Sequence, residues 1–154
     1  MVDIRYTNSL LVCRVQGRTC ALPIEHVGEI MRPLHIDRIP GAPHYILGLA
    51  VIRGVATPVL NMASLFEQIE ARVERYERFI SIKVAGRPLA LAVGQVQGVS
   101  VFARQDLSAM PSLMQSIGSD LIESIGVRDA ALFLVLDGAR LLPEGALAAW
   151  EGSA

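Results

Sequence analysis

"LLVCRVQGRTCALPIEHVGEI", residues 10–30, decides the fold, because the chain contains it twice. Displaced by 69 positions it lies without a gap on "FISIKVAGRPLALAVGQVQGV" (79–99). Six positions are identical: Val15/Val84, Gly17/Gly86, Arg18/Arg87, Ala21/Ala90, Leu22/Leu91 and Val27/Val96. Others keep their character, as in Leu11/Ile80, Arg14/Lys83 and Ile24/Val93. Such self-similarity points to duplication of one structural unit. Within each copy apolar residues alternate with period two, the pattern of a half-buried strand. Leu11, Cys13 and Val15 share one face before Gly17, whereas Cys20 and Leu22 share it afterwards. Cross-strand partners must therefore sum to an odd number, and the loop has an even length. A two-residue turn using Gly17, and Gly86 in the second copy, meets that condition because such turns require a positive φ that glycine adopts cheaply.

Further along the two halves rhyme again. "ILGLAVIRGVATPVLN" (46–61) and "IESIGVRDAALFLVLD" (122–137) each read as strand, tight polar turn and strand, ending in Asn61 or Asp137. Each is followed by a brief apolar helical pattern, "MASLF" or "GARLL", for which Asn61 and Asp137 are expected N-caps. Each half thus holds two hairpins and about five strands once a segment near Gly28–Arg32 or Gly98–Ala103 is added. In "GLAVIRGVATPVLN" (48–61) a single cation interrupts an apolar run. The hairpin explains its place, since Arg53-Gly54 sits where the chain reverses and can stay in water while Leu49, Val51 and Val55 pack.

The chain is expected to form one domain over 1–154, with a first barrel subdomain at 9–66, a charged linker at 67–78, a second barrel subdomain at 79–137 and a C-terminal helical segment at 138–154. The linker, "EQIEARVERYER", is read as a solvated helix or loop steadied by pairs such as Glu74 and Arg78. In "PEGALAAW", Pro143 and Glu144 suit a helix start, and Leu147 and Trp150 share a face, which makes Trp150 a packing anchor.

Composition narrows the function classes. Against 15 acidic residues stand 14 Lys plus Arg, so the net charge of −1 supplies no global field to draw nucleic acid or an anionic membrane. Aromatic content of 5% leaves few stacking platforms, which weighs against the alternative of a small-barrel module for nucleic acid or another ligand. No apolar stretch is long enough to insert in a membrane, and the N-terminus has no signal-peptide pattern, so a cytoplasmic location is expected. Cys13 and Cys20 do not make a disulfide framework and are read as small core hydrophobes. His26, His35 and His44 stand nine residues apart, a spacing that fits no compact metal motif, so no metal or other cofactor is expected. Glu25, Glu29 and Asp37 give no sign of converging as paired carboxylates, and catalysis is not expected.

The run "VGEIMRPLHIDRIPGAPHYILGLAVIRGVATPVLNM" (27–62) resembles the CheW-like domain of bacterial chemotaxis coupling proteins. That family carries V-x-E-I, I-P-x-x-P, a G-V-x-N-L-R-G segment and P-V-x-D-L, which fall here on Val27, Glu29 and Ile30; Ile39, Pro40 and Pro43; Gly48, Arg53 and Gly54; and Pro58, Val59 and Leu60. The resemblance extends to "LALAVGQV" (89–96) and "LFLVLDGARLL" (132–142). It implies a mainly all-β fold of two similar five-stranded SH3-like barrels packed side by side, with short connecting helices. It also implies a non-catalytic adaptor between the cytoplasmic tips of methyl-accepting chemoreceptors and the regulatory domain of a CheA-type histidine kinase, in a chemotaxis or twitching-motility pathway. Carried over residue by residue, Arg53 and Glu29 become the partner-binding charges, with Val27, Ile36 and Gly48 as the apolar ground around them. Departures from the family pattern are Val51 for the usual Asn, Asn61-Met62 for Asp-Leu, and Gly94 for the acid of a V-D-x-V segment.

Overall fold

In the computed structural model the described residues are 7–67, 76–109, 111–112 and 122–137. The first half forms β1 (Thr7–Val15), β2 (Arg18–Pro23), β3 (Val27–Met31), β4 (Ile46–Ile52) and β5 (Val55–Asn61), then a short helix α1 (Met62–Glu67). The second half forms β6 (Arg78–Val84), β7 (Arg87–Val93), β8 (Gln95–Ala103), the two-residue β9 (Leu107–Ser108), β10 (Ile122–Arg128) and β11 (Ala131–Leu136). The expected hairpin register is observed: Leu11 faces Leu22, and Val15 faces Arg18 across a two-residue loop. Gln16 and Gly17 both have positive φ (49° and 76°), as a type I′ turn requires. The same geometry recurs at Arg53-Gly54, Ala85-Gly86 and Asp129-Ala130.

The sheets do not follow the division of the sequence into halves. One has the order β8-β1-β2-β11-β10-β9, and the other β3-β6-β7-β5-β4. Each therefore takes its central hairpin from the opposite half of the chain. The guest hairpin joins its host through one antiparallel and one parallel pairing: β1 with β8 and β2 with β11, or β6 with β3 and β7 with β5. The two orders coincide when β1, β2, β3, β4 and β5 are exchanged for β6, β7, β8, β10 and β11. Even the irregularities repeat. The β4–β5 register slips between Ile46 and Gly48, and the β10–β11 register slips between the equivalent Ile122 and Ser124.

Both sheets roll up. Phe102 on β8 and Phe133 on β11 are separated by β1 and β2, roughly 14 Å on a flat sheet at the usual strand spacing. Their ring centroids lie 4.6 Å apart, so the sheet curls into a barrel. Across the gap, an Arg128 Nη donates to the Val101 carbonyl at 3.0 Å and the guanidinium lies 3.8 Å from the centre of the Phe102 ring. In the other sheet, the segment leaving edge strand β3 pairs at Asp37 with Leu49 on the opposite edge strand, β4, through two backbone hydrogen bonds.

Three apolar clusters result. The largest contains Leu11, Cys13, Val15, Cys20 and Leu22 from one hairpin and their repeat equivalents Ile80, Ile82, Val84, Leu89 and Leu91 from the other. A second fills one barrel with Leu10, Val12, Ala21, Phe102, Phe133 and Val135. A third fills the other with Ala50, Val59, Phe79, Ala90 and Ala92. The expectation of half-buried hairpin strands is thus corrected: β1, β2, β6 and β7 bury both faces, one against the other hairpin and one inside a barrel. A buried Leu contributes roughly 1.5–3 kcal/mol, so the exchanged hairpins concentrate much of the stabilising burial.

Asn61 caps α1 as expected, its Oδ1 accepting the Ala63 N–H at 3.2 Å while nearly fully buried. Gly94 also has a local reason to depart from the family acid. Its N–H donates to the Arg14 carbonyl at 3.0 Å, and a Cβ there would sit 2.8 Å from the same oxygen. The expected cap at Asp137 of a following helix, the body of the linker and the C-terminal helix with Trp150 lie outside the described residues.

Two stability predictions follow from this geometry. A Cβ at Gly17 would meet no atom within 4 Å, so Gly17→Ala incurs only the cost of positive φ, about 1 kcal/mol. At Gly126 a Cβ would overlap the Phe133 ring inside the barrel, and Gly126→Ala is expected to lose more, about 1–3 kcal/mol. Urea midpoints of the two variants measure the difference. Cys13 and Cys20, facing each other on β1 and β2, are buried free thiols. Burial raises both, and Cys20 is pushed up to about 12. An acid whose pKa rises on folding stabilises the native state below its unfolded value of 9.0 and ceases to do so as pH climbs toward its folded value. Native protein at pH 8 should therefore resist thiol reagents, react at both cysteines in denaturant, and lose unfolding free energy as pH passes 9.

Candidate functional site

The turn between β4 and β5 places Arg53 at φ 51°, with its side chain 76% exposed. Its guanidinium makes an ion pair with Glu29, which is 46% exposed on β3. Arg53 directly follows β4 and Glu29 lies on β3, the two edge strands of one sheet, so they meet because that sheet has rolled up. Glu29 is aimed by a bulge. Pairing of β3 with β6 skips from Val27–Ile82 to Ile30–Ile80, and within the skipped stretch the Glu29 N–H donates to Ser81 Oγ at 2.8 Å. Extra residues of this kind bend a strand and redirect its side chains. Gly28 permits the approach, since a Cβ there would lie 2.7 Å from the same Ser81 oxygen.

The five residues singled out from the sequence fall in two places. Glu29 and Arg53 are in contact at the surface, whereas Val27, two residues before Glu29, is half-buried and packed against the central cluster. Ile36 and Gly48 meet under the segment that closes the barrel, Ile36 half-buried against the barrel interior and Gly48 buried. A Cβ at Gly48 would collide with the Asp37 carbonyl oxygen and lie 2.8 Å from Ile36 Cγ2. This glycine acts by letting residues 36–37 lie on β4.

The structure adds residues that the motif did not. Ile30 follows Glu29, and Val51 and Val55 stand two residues on either side of Arg53; each is about half exposed or more, which corrects the expectation that Val51 and Val55 pack. Val51 stands in a strand whose neighbour Ala50 is fully covered, and only the position of the rolled sheet reveals that its own face is open. On the other barrel Val99, Val101, Val127 and Leu132 are similarly exposed. Arg128 there closes its barrel much as the Arg53–Glu29 pair spans the first. Alignment of 46–61 with 122–137 could have pointed to it, because Arg128 takes the place of Ile52.

These features define a class: a duplicated double β-barrel domain with exchanged hairpins, whose charged site sits on an exposed chain reversal amid open apolar side chains. The family model for the CheW-like domain matches residues 9–146, and the chain belongs to that family. It is 24% identical over 140 residues to the chemotaxis protein CheW of Bacillus subtilis, covering 91% of this chain and 90% of that one. Against the CheW of Treponema pallidum it is 24% identical over 120 residues, covering 75% and 71% of the two chains. The crystal structure of the scaffolding protein TtCheW from Thermoanaerobacter tengcongensis superposes with a TM-score of 0.75 at 22% identity, covering 84% of this chain and 88% of that one. The mainly β fold of two sheets, consistent with SH3-like barrels, is therefore shared. Among the described residues no helix is long and apolar enough to cross a membrane.

The close approach at Gly48 predicts that Gly48→Ala destabilises the fold by about 1–3 kcal/mol. Arg53→Ala should change stability by at most about 1 kcal/mol, since exposed ion pairs are worth little. Thermal melts of the two variants check this order.

Proposed function

We propose that this chain is a non-catalytic cytoplasmic adaptor that couples the signalling tips of chemoreceptors to the regulatory domain of a CheA-type histidine kinase. One observation carries the reading: within a CheW-like domain, the Arg53–Glu29 pair is solvent-exposed, and Ile30, Val51 and Val55, one or two residues away along the chain, are exposed apolar side chains. Apolar area of this sort drives association when covered, while the charges select the partner and set its register. The guanidinium has five donors in a planar fork, and a single carboxylate cannot use them all. A partner carboxylate can therefore share Arg53 with Glu29 or displace it. Because the internal pair is exposed, opening it costs at most about 1 kcal/mol, and the covered pair in a complex is worth more than the open one.

Arg53→Asp tests the reading. The variant should keep the circular dichroism and melting temperature of the wild type but bind receptor cytoplasmic tips about 30-fold or more weakly, the loss that corresponds to roughly 2 kcal/mol at an interface centre. Unchanged capture of receptor tips by a folded variant would defeat it.

A further inference from the structure

Strand β8 lies at one edge of the six-stranded sheet, and among the described residues its only strand partner is β1. Register shows which of its backbone groups are free. The two-residue turn at Gln16-Gly17 makes Val15 and Arg18 a hydrogen-bonded pair, so the odd residues of β1 bond to β2 and the even ones face β8. The Arg14 carbonyl agrees, since it accepts the Gly94 N–H on that side. Leu10 faces Ser100 and Asn8 faces Phe102, so Ser100 and Phe102 bond to β1 while Val99 and Val101 turn their N–H and C=O groups outward. Both valine side chains are more than half exposed, at 56% and 57%. From Gln95 to Ala103 there is no charged residue and no proline. An edge strand of that composition is a template for pairing with another chain.

One charged group stands on this edge. An Arg128 Nη donates to the outward Val101 carbonyl at 3.0 Å, and the guanidinium lies 3.8 Å from the centre of the Phe102 ring. The other half of the chain is built differently. Its equivalent edge strand, β3, is five residues long and carries its own charge, Glu29. There the place of Arg128 is taken by Ile52, half-buried against the barrel interior. A cation thus reaches in from β10 where the edge strand is long and uncharged, and an apolar side chain suffices where it is short and charged.

We infer that Arg128 guards the β8 edge, preventing it from pairing with the β8 of a second copy of this chain. The edge itself identifies the strand that is excluded, because it is its own complement. Under a two-fold axis at Ser100, Val99 of each copy meets Val101 of the other. That register uses every outward N–H and C=O of the four valines and lays their side chains together on one face. Within β8 no charge opposes the match. Arg128 does. A carbonyl oxygen has two lone pairs, so the bond to Val101 alone would not bar a second strand. The charge does so: an added strand covers the guanidinium, whose remaining donors need water, and the two-fold brings both guanidinium groups to one short ladder.

Arg128→Met tests the guard, because methionine keeps an apolar stem over the Phe102 ring while removing the charge and the donors. Sedimentation velocity of the full chain, from micromolar to about 1 mM, should show Arg128→Met forming a dimer about tenfold or more tighter than any formed by the wild type. Val99→Lys added to Arg128→Met returns a cation to the edge and should restore the monomer. Ser100→Cys locates the contact. Across the two-fold these positions form a non-hydrogen-bonded pair with Cα atoms about 4.5 Å apart, within reach of a disulfide. Cys13 and Cys20 are buried, so with diamide as oxidant the introduced thiol should cross-link the Arg128→Met dimer and leave the chain with Arg128 intact largely monomeric. If Arg128→Met does not fold, Arg128→Gln, which keeps a donor without the charge, takes its place with the same expectations. A variant that is folded by circular dichroism yet no more dimeric than the wild type would overturn the inference. So would a dimer that survives Val99→Lys, or one that does not cross-link at position 100.

Discussion

Burial of two hairpins on both of their faces is the constraint on which the rest of the structure depends. β1–β2 and β6–β7 present Leu11, Cys13, Val15, Cys20 and Leu22, with their equivalents, to one central cluster. Their opposite faces supply Leu10, Val12 and Ala21 to one barrel and Phe79, Ala90 and Ala92 to the other. A hairpin carrying apolar residues on both faces cannot sit at the surface of its own half, because one face would remain in water. Insertion between strands of the other half covers both. The exchange also ties the halves by backbone pairing, β2 to β11 and β5 to β7, as well as by packing.

The site follows from that arrangement. Once each sheet rolls up, strands at its opposite edges meet, and their side chains become neighbours despite a wide separation in sequence. Glu29 and Arg53 are brought together in this way, and Arg128 on β10, one strand in from the edge, likewise reaches Val101 on edge strand β8. The turns then set which charges lie outermost. A type I′ reversal holds its two residues at positive φ away from the barrel wall, where a polar side chain loses no hydration. Arg53 and Asp129 are exposed for the same backbone reason, and their opposite signs are a difference between copies of one device.

Substitutions of family residues make sense at this level. Asn61 supplies the same capping oxygen that an aspartate would, in a buried place where a neutral amide avoids the cost of desolvating a charge. Gly94 marks the point where the chain leaves one sheet for the other beside the Arg14 carbonyl. Val51 replaces a polar residue on an open face and enlarges the apolar ground beside Arg53.

The sequence by itself determined the duplication, the even-length hairpin loops, the strand content, the Asn61 cap and the placement of Arg53 at a reversal. These features are local: period-two alternation, turn dihedrals and capping chemistry act within a few residues. Only the tertiary structure decided that the hairpins change partners, that β1 and β7 are covered on both sides, and that Glu29 touches Arg53. Alternation names which residues share a face, but not what lies opposite that face, and Leu10 or Ala21 read as outward until the second barrel interior is in view. Gly48 shows the same limit in the site. Its spacing matched a partner-binding motif, whereas its surroundings, set by the return of residues 36–37 onto β4, make it a packing glycine. Long-range closure of a rolled sheet depends on strand order, and no local pattern in this sequence encodes that order.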